Sequence, residues 1–204
     1  ILGTALLWFG WLGFNAGSAL SANSLAVAAL ATTTTASAAA AFTWVIFDAV
    51  RGRKPSAMGA CIGAVVGLVA ITPAAGFVSI PHSLIIGIVA ALVSNMVVEW
   101  RSRTSIDDTL DVFPCHGVGG MVGMVLTGVF ASQAINPGNT TGNGLYFGET
   151  KLFLLHLLAL VIVSAFAFFG TWILLRVVNR ISPLRVTAEE EEMGLDLSQH
   201  GESL

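Results

Sequence analysis

Apolar residues run in long, nearly unbroken stretches along this chain, and polar residues gather in the gaps between them. About 20 apolar residues cross the hydrocarbon core of a bilayer as a helix. Stretches of that kind cover 1–18, roughly 23–49, 57–73, 82–99, 105–132 and 150–178. The pattern predicts an all-α, polytopic transmembrane bundle of about six spans over residues 1–180, with a polar tail over 181–204. The run ATTTTASAAAA at 31–41 resembles low complexity, but inside a membrane it reads as a helix face of small residues built for close packing. The 22 glycines scattered along the chain suit the same tight contacts.

Composition agrees. Of the 204 residues, 55% are hydrophobic and 10% charged, with a mean hydropathy of +0.82. Soluble domains carry about 25% charged residues, so this is an integral membrane protein. The net charge of −3 says little, because four acids sit in the single run Glu189 to Glu192. Nothing is basic enough to suggest nucleic acid. Cys61 and Cys115 both fall in apolar segments and read as packing residues rather than a disulfide framework. Positions 1–30 lack charge, so the basic start of a signal peptide is missing. The chain opens without Met inside an apolar stretch, which leads us to expect a fragment lacking its N-terminal part.

Eight of the nine Lys and Arg residues lie in three places: RGRK at 51–54, WRSR at 100–103, and Arg176, Arg180 and Arg185. With six spans, these three places share one side, and the remaining loops hold only Lys151. Positive charge marks the cytoplasmic side, so the C-terminus is expected there. The NTT at 139–141 fits a glycosylation pattern on the outer side, but such tripeptides are too common to carry weight.

Ionisable groups inside a bilayer usually face a cavity or a partner. His116 lies in DVFPCHGVGG at 111–120. If its helix starts at the capping-like SIDD of 105–108, His116 is eleven residues in, about 16 Å, near the midplane. Asp111 is then about 9 Å in, and Pro114 bends the helix. The other reading is a cap histidine at a helix start near Pro114, and the residues alone leave both open. His156 reads as a packing or interfacial residue, and His82 and His200 as loop and tail residues. In the opening stretch, Leu7, Trp11, Phe14 and Ser18 share one helix face. Aromatic faces attract ammonium-type cations and a hydroxyl can accept their hydrogen bonds. An aromatic belt with ordinary packing explains the same stripe. No metal-ligand spacing, nucleophile elbow or phosphate loop is present, so neither an enzyme nor a metal or other cofactor is expected.

Taken together, GWLGFNAGSA at 10–19, GACIGAVVGLVAITPAAGFV at 59–78, DDTLDVFPCHGVGGMVG at 107–123 and LRVTAEEEEMGLDLSQHGE at 184–202 resemble the ammonium transporter family, the Amt/Mep branch of the Amt/Rh superfamily. The resemblance runs the whole length in order. It implies an eleven-span inverted-repeat fold, of which this chain matches the last six spans and the cytoplasmic tail. It favours the midplane reading of His116, as the second of two histidines lining a narrow apolar pore. Phe14 matches one of two phenylalanines over the pore entrance, Ser18 a serine of the outer recruitment site, and Trp11 a pore-wall tryptophan. Thr72 and Val112 match positions near the pore, and Asp111 a buried structural acid. The partner histidine, the second phenylalanine and the aromatic companion of Ser18 belong to spans outside this chain.

The resemblance further implies recruitment of NH4+ outside and conduction of NH3 or NH4+ through the cell membrane. It also implies a homotrimer in membrane lipid, and a regulatory tail, including Gly194 and His200, that meets a PII signalling protein. An ammonium sensor of the same architecture, an Rh-type gas channel and a non-autonomous fragment stand as alternatives.

Overall fold

The computed structural model describes residues 1–202, and the regular secondary structure of these residues is all helical. The chain forms α1 (Leu2–Gly17), α2 (Ser24–Val50), α3 (Ala57–Ile71) and α4 (Ile80–Ser102). A wide π-helical turn, Phe113–Val118, then runs into α5 (Gly119–Phe130). A short 3-10 turn (Leu145–Phe147) precedes α6 (Lys151–Ile181), and the tail holds α7 (Ala188–Met193) and a second π turn, Asp196–His200. Each of the six predicted stretches contains a helix, although the fifth, predicted from residue 105, becomes helical only at residue 112. Four of them, 24–50, 80–102, 113–130 and 151–181, are long and apolar enough to cross a membrane by length and composition. α1 and α3 are shorter, at 16 and 15 residues.

Local chemistry sets the helix starts. The Asn23 side chain accepts the Ala26 N–H at 2.9 Å, and the Ser56 hydroxyl accepts that of Gly59 at 3.0 Å. Each satisfies one of the donors that a helix start leaves free. Pro81 stands in the first turn of α4, where its missing N–H has no helical partner to lose.

Two compact units divide the chain, Ile1–Leu160 and Val161–Leu204. In the first, α2 packs against α1, α3 and α4. The threonine-alanine run is the face that makes this possible: Thr32, Thr33, Ala36, Ser37 and Ala40 are all buried. Glycines from the neighbouring helices seat directly on backbone. A Cβ at Gly67 would stand 2.6 Å from the Ala36 carbonyl oxygen, and one at Gly87 2.3 Å from the same atom. One at Gly123 of α5 would stand 2.1 Å from the carbonyl oxygen of Ala70 in α3. Between these contacts lie Trp44, Val66, Ile71, Val78, Ile86 and Phe130.

Polar groups tie the same helices. Asn15 donates to Thr33 Oγ1 at 2.9 Å, and Asn95 donates to Asp48 Oδ1 at 3.1 Å. Arg51 and Arg103 pair with Glu99, while Arg53 lies 3.1 Å from Glu99 and 3.6 Å from Asp48. Three of the arginines that set the charge bias thus gather around two acids at the ends of α2 and α4. His82, expected in a loop, is in the first turn of α4. Its ring stacks on Phe130 at 4.6 Å, edges against Tyr146 at 5.1 Å, and meets Ser79 Oγ at 3.0 Å. This aromatic cluster holds the connection before α6 against α4. His156 faces the Met124 carbonyl at 2.9 Å, the packing role expected of it. Both cysteines are free thiols.

In the second unit, the end of α6 leaves large apolar side chains such as Phe166, Phe168 and Trp172 exposed. Arg176 lies over the Trp172 ring at 4.7 Å. The tail is ordered by its own polar groups. Thr187 and Glu190 form a reciprocal capping box at the start of α7, and Arg185 pairs with Glu191 at 3.1 Å. Ser198 Oγ lies 2.9 Å from the Gly194 carbonyl oxygen. Gly194 follows α7 with φ of +95°, a conformation that favours glycine.

Gly87→Ala is expected to destabilise the protein. A methyl adds up to about 1 kcal/mol of helix propensity, but forcing it onto a backbone oxygen costs about 1–3 kcal/mol. Thermal melting of the purified protein checks this, and an unchanged or raised midpoint would show that α2 and α4 can part without loss. In the tail, Glu190 accepts the Thr187 N–H and hydroxyl, which hold its carboxyl below the ordinary glutamate value. The capping box is therefore complete above the ordinary value of about 4.3 and is lost as pH falls through the lowered one. The Thr187 amide resonance should titrate with a midpoint below that of free glutamate, and Glu190→Gln should abolish the titration.

Candidate functional site

The helix that carries His116 starts later than the SIDD pattern suggested. Residues 105–110 are not helical, so no helix starts at Ser105. The acid that does the capping is Asp108, whose two carboxylate oxygens accept the N–H groups of Val112 at 2.9 Å and Phe113 at 2.8 Å. A charged acceptor with two oxygens serves two free donors at once and lies where a helix start favours negative charge. Asp111 has φ of +52°, in the left-handed region, which interrupts any helix approaching from residue 105. Pro114 consequently sits in the first turn rather than mid-helix, and bends nothing. His116 is in that same first turn, so the depth of about 16 Å counted from residue 105 does not hold.

His116 borders a cavity of about 140 Å³ lined also by Thr4, Met58, Cys61, Ile62, Val65, Leu110 and Cys115. The lining is mostly apolar and comes from α1, the first half of α3, and the approach to the π turn. A π turn widens the helix locally, and such turns are frequent at functional positions. Cys115, beside the histidine, is buried, whereas His116 is exposed.

The second group of predicted residues lies along α1. The Trp11 indole N–H donates to Thr72 Oγ1 at 2.7 Å, and the Thr72 hydroxyl in turn donates to the Leu68 carbonyl at 2.8 Å. This fixes α1 against the C-terminal end of α3. Trp11 and Phe14 meet edge to face at 6.1 Å, with Phe14 61% exposed. Gly3, Leu6, Leu7, Gly10, Trp11 and Phe14 line one open apolar groove, so Leu7, Trp11 and Phe14 of the predicted stripe do share a face. Ser18 donates its hydroxyl to the Phe14 carbonyl at 2.6 Å and is exposed. Its oxygen lone pairs remain available to accept a bond.

Two clusters result: Trp11, Phe14, Ser18 and Thr72 at one end of α1, and Asp111, Val112 and His116 at the π turn. α1 links them, because its Thr4 lines the His116 cavity. Phe14 lies ten residues further along, about 15 Å at helical rise. Gly194 and His200 sit in the tail, His200 exposed in the second π turn. Asp111, expected as a buried acid, is half-buried and pairs with Arg101, whose Nε lies at 2.9 Å and Nη2 at 2.5 Å from its Oδ1. Sequence reasoning missed Arg101, because the pair is not at helical spacing. It also missed Asp108 as the cap, although a proline shortly after an acid is a start signal that could have revealed it. Among the described residues no group of three His, Cys, Asp or Glu side chains could hold a metal ion.

The whole chain, residues 1–204, matches the sequence profile of the Ammonium Transporter Family. It is 47% identical over 204 residues to a putative ammonium transporter of Methanothermobacter thermautotrophicus, covering 100% of this chain and 50% of that protein. It is 44% identical over 202 residues to the ammonium transporter Amt1 of Archaeoglobus fulgidus, covering 99% of this chain and 50% of the relative. The crystal structure of Saccharomyces cerevisiae Mep2 superposes with a TM-score of 0.88 at 40% identity, over 97% of this chain and 45% of that one. The chain thus spans about half the length of the relatives it matches. With a profile match over its full length and an all-helical, membrane-suited bundle, the chain belongs to the Ammonium Transporter Family.

Proposed function

We propose that the complete protein carries ammonium across the cell membrane, and that α1 and the His116 turn form one wall of its path. One observation carries this reading. α1 carries an open apolar groove that includes Phe14, with Ser18 just beyond it, and Thr4 of the same helix, about 15 Å before Phe14 at helical rise, lines the His116 cavity. That spacing is half the roughly 30 Å thickness of a hydrocarbon core. Counted from the outer end of α1, that spacing supports a mid-membrane position for His116, although it stands in the first turn of its own helix.

Chemistry supports a division of labour. At the outer end, the Phe14 and Trp11 rings attract a cation and the Ser18 oxygen accepts one of its N–H bonds. Moving the intact ion along a dry apolar groove would cost tens of kcal/mol by the idealised Born estimate. Ammonia, once a proton is released, crosses such a groove at far lower cost. The His116 imidazole suits this route because, when neutral, it both donates and accepts a hydrogen bond. Thr72 holds Trp11 in place, and Val112 supplies apolar surface at the head of the His116 helix. The process is transport rather than enzymatic conversion, and it uses no cofactor.

The arginine-rich ends of α2, α4 and α6 favour a cytoplasmic C-terminus. Beyond that, we infer a homotrimer in lipid, with the acidic tail of α7 as a regulatory segment open to a PII-type signalling protein. Its self-contained hydrogen bonds suit a compact element that docks as a unit.

In proteoliposomes of the complete protein, His116→Ala should abolish ammonium uptake or lower it by about a hundredfold, the scale of a lost proton-handling group. Unchanged rate and selectivity would remove His116 from the path. A wild-type protein that binds ammonium without flux would be a sensor instead. Deleting 184–204 should alter uptake while leaving the spans folded, and full activity without the tail would count against a regulatory role.

A further inference from the structure

We propose that Arg101 is a positioning residue for His116, acting through the left-handed backbone of Asp111. The inference rests on the functional reading of His116 given above. Arg101 lies in the last turn of α4, and its guanidinium places two N–H groups on a single oxygen of Asp111, Nε at 2.9 Å and Nη2 at 2.5 Å. Both side chains are about four-fifths covered, with 21% and 20% exposure, so solvent screens this pair less than the more exposed pair of Arg185 and Glu191.

What the clamp holds is the strained residue at the head of the helix. Asp111 has φ of +52°, a conformation that costs a non-glycine residue on the order of 1 kcal/mol or more and persists only where surroundings impose it. Its N–H bonds the Asp108 carbonyl at 3.1 Å, and its own carbonyl accepts the Cys115 N–H at 3.0 Å. Asp111 therefore fixes the residue immediately before the histidine. Of the three residues between, Asp108 caps the N–H groups of Val112 and Phe113, and Pro114 has none to cap. Two carboxylates thus divide the work: Asp108 satisfies the backbone of the new helix, and Asp111 locks that helix to α4. The π turn makes the aim of His116 sensitive to this lock. Its wider winding is less favourable than α, and rewinding it to α would rotate the ring relative to the cavity shared with Cys61, Ile62 and Val65.

Arg101 touches neither His116 nor the cavity, so the test needs readouts that general destabilisation would not reproduce. In proteoliposomes of the complete protein, Arg101→Gln should lower the maximal ammonium flux about tenfold or more, the scale of a small misplacement. The half-saturating concentration, set at the Phe14 and Ser18 end, should stay within about twofold, because a group that binds substrate elsewhere is untouched. Arg101→Lys, which keeps one charged donor, should recover most of the flux. With labelled histidine, the His116 ring resonances should shift in Arg101→Gln and return towards wild type in Arg101→Lys. If Arg101→Gln does not fold, Asp111→Asn offers the same loss of charge, since asparagine tolerates the left-handed backbone. Wild-type flux and wild-type His116 resonances in Arg101→Gln, or in Asp111→Asn in its place, would overturn the proposal. Shifted resonances in a protein whose wild type passes no ammonium would uphold the positioning role while rejecting the transport reading.

Discussion

The Ala36 carbonyl is where the bundle closes. Gly67 of α3 and Gly87 of α4 both lie so close to it that neither could carry a side chain without displacement. In lipid, tails are as apolar as the helices they surround, so apolar burial gives helices little reason to associate. Close backbone approach, which multiplies short van der Waals contacts, takes its place. From Ala36 the same device continues outward. Gly123 seats α5 on Ala70 of α3. That contact brings the π turn beside Cys61, Ile62 and Val65 and so places His116 at its cavity. The position of one imidazole thus descends from a series of absent methyl groups on other helices.

Polar groups supply the second layer of specificity. Glycine contacts allow close approach but are tolerant of small slides along a helix. Hydrogen bonds between named partners are not. Trp11 to Thr72 fixes α1 on α3, Asn15 to Thr33 fixes α1 on α2, Asn95 to Asp48 fixes α4 on α2, and Arg101 to Asp111 fixes the π turn on α4. Each removes a donor that would be costly to leave unmade away from water. Not every buried group is so served: Ser94 Oγ and Asn95 Oδ1 are buried without a partner beside this network.

Much of the fold was legible because lipid imposes a simple rule on sequence. Spanning helices must be long and apolar, so the six stretches could be found from the hydropathy pattern alone, and each contains a helix. The small-residue face of α2 was legible for the same reason, since Thr32 to Ala40 have no other use in an oily setting. The Trp11, Phe14 and Leu7 stripe followed from helical spacing. The start of the His116 helix was not legible. Ser105 and Asp108 both have capping chemistry, and the choice between them depends on the left-handed turn at Asp111 and its tether to Arg101. The aromatic setting of His82 was equally hidden, because Phe130 and Tyr146 are distant in sequence and meet it only through the path of the 131–150 connection.

By itself, then, the sequence determined what kind of object this is: an all-helical membrane protein with small-residue interfaces, a biased distribution of positive charge and the residue patterns of its family. Those properties are local or cumulative, because hydropathy, helical period and charge count add up along the chain. Only the tertiary structure decided that His116 lies in a first turn, that α1 connects it to Phe14 and Ser18, and that Arg101 reaches Asp111. Each of these depends on the relative placement of backbones joined by glycine contacts tighter than any side chain permits. No one-dimensional pattern encodes where two such surfaces meet.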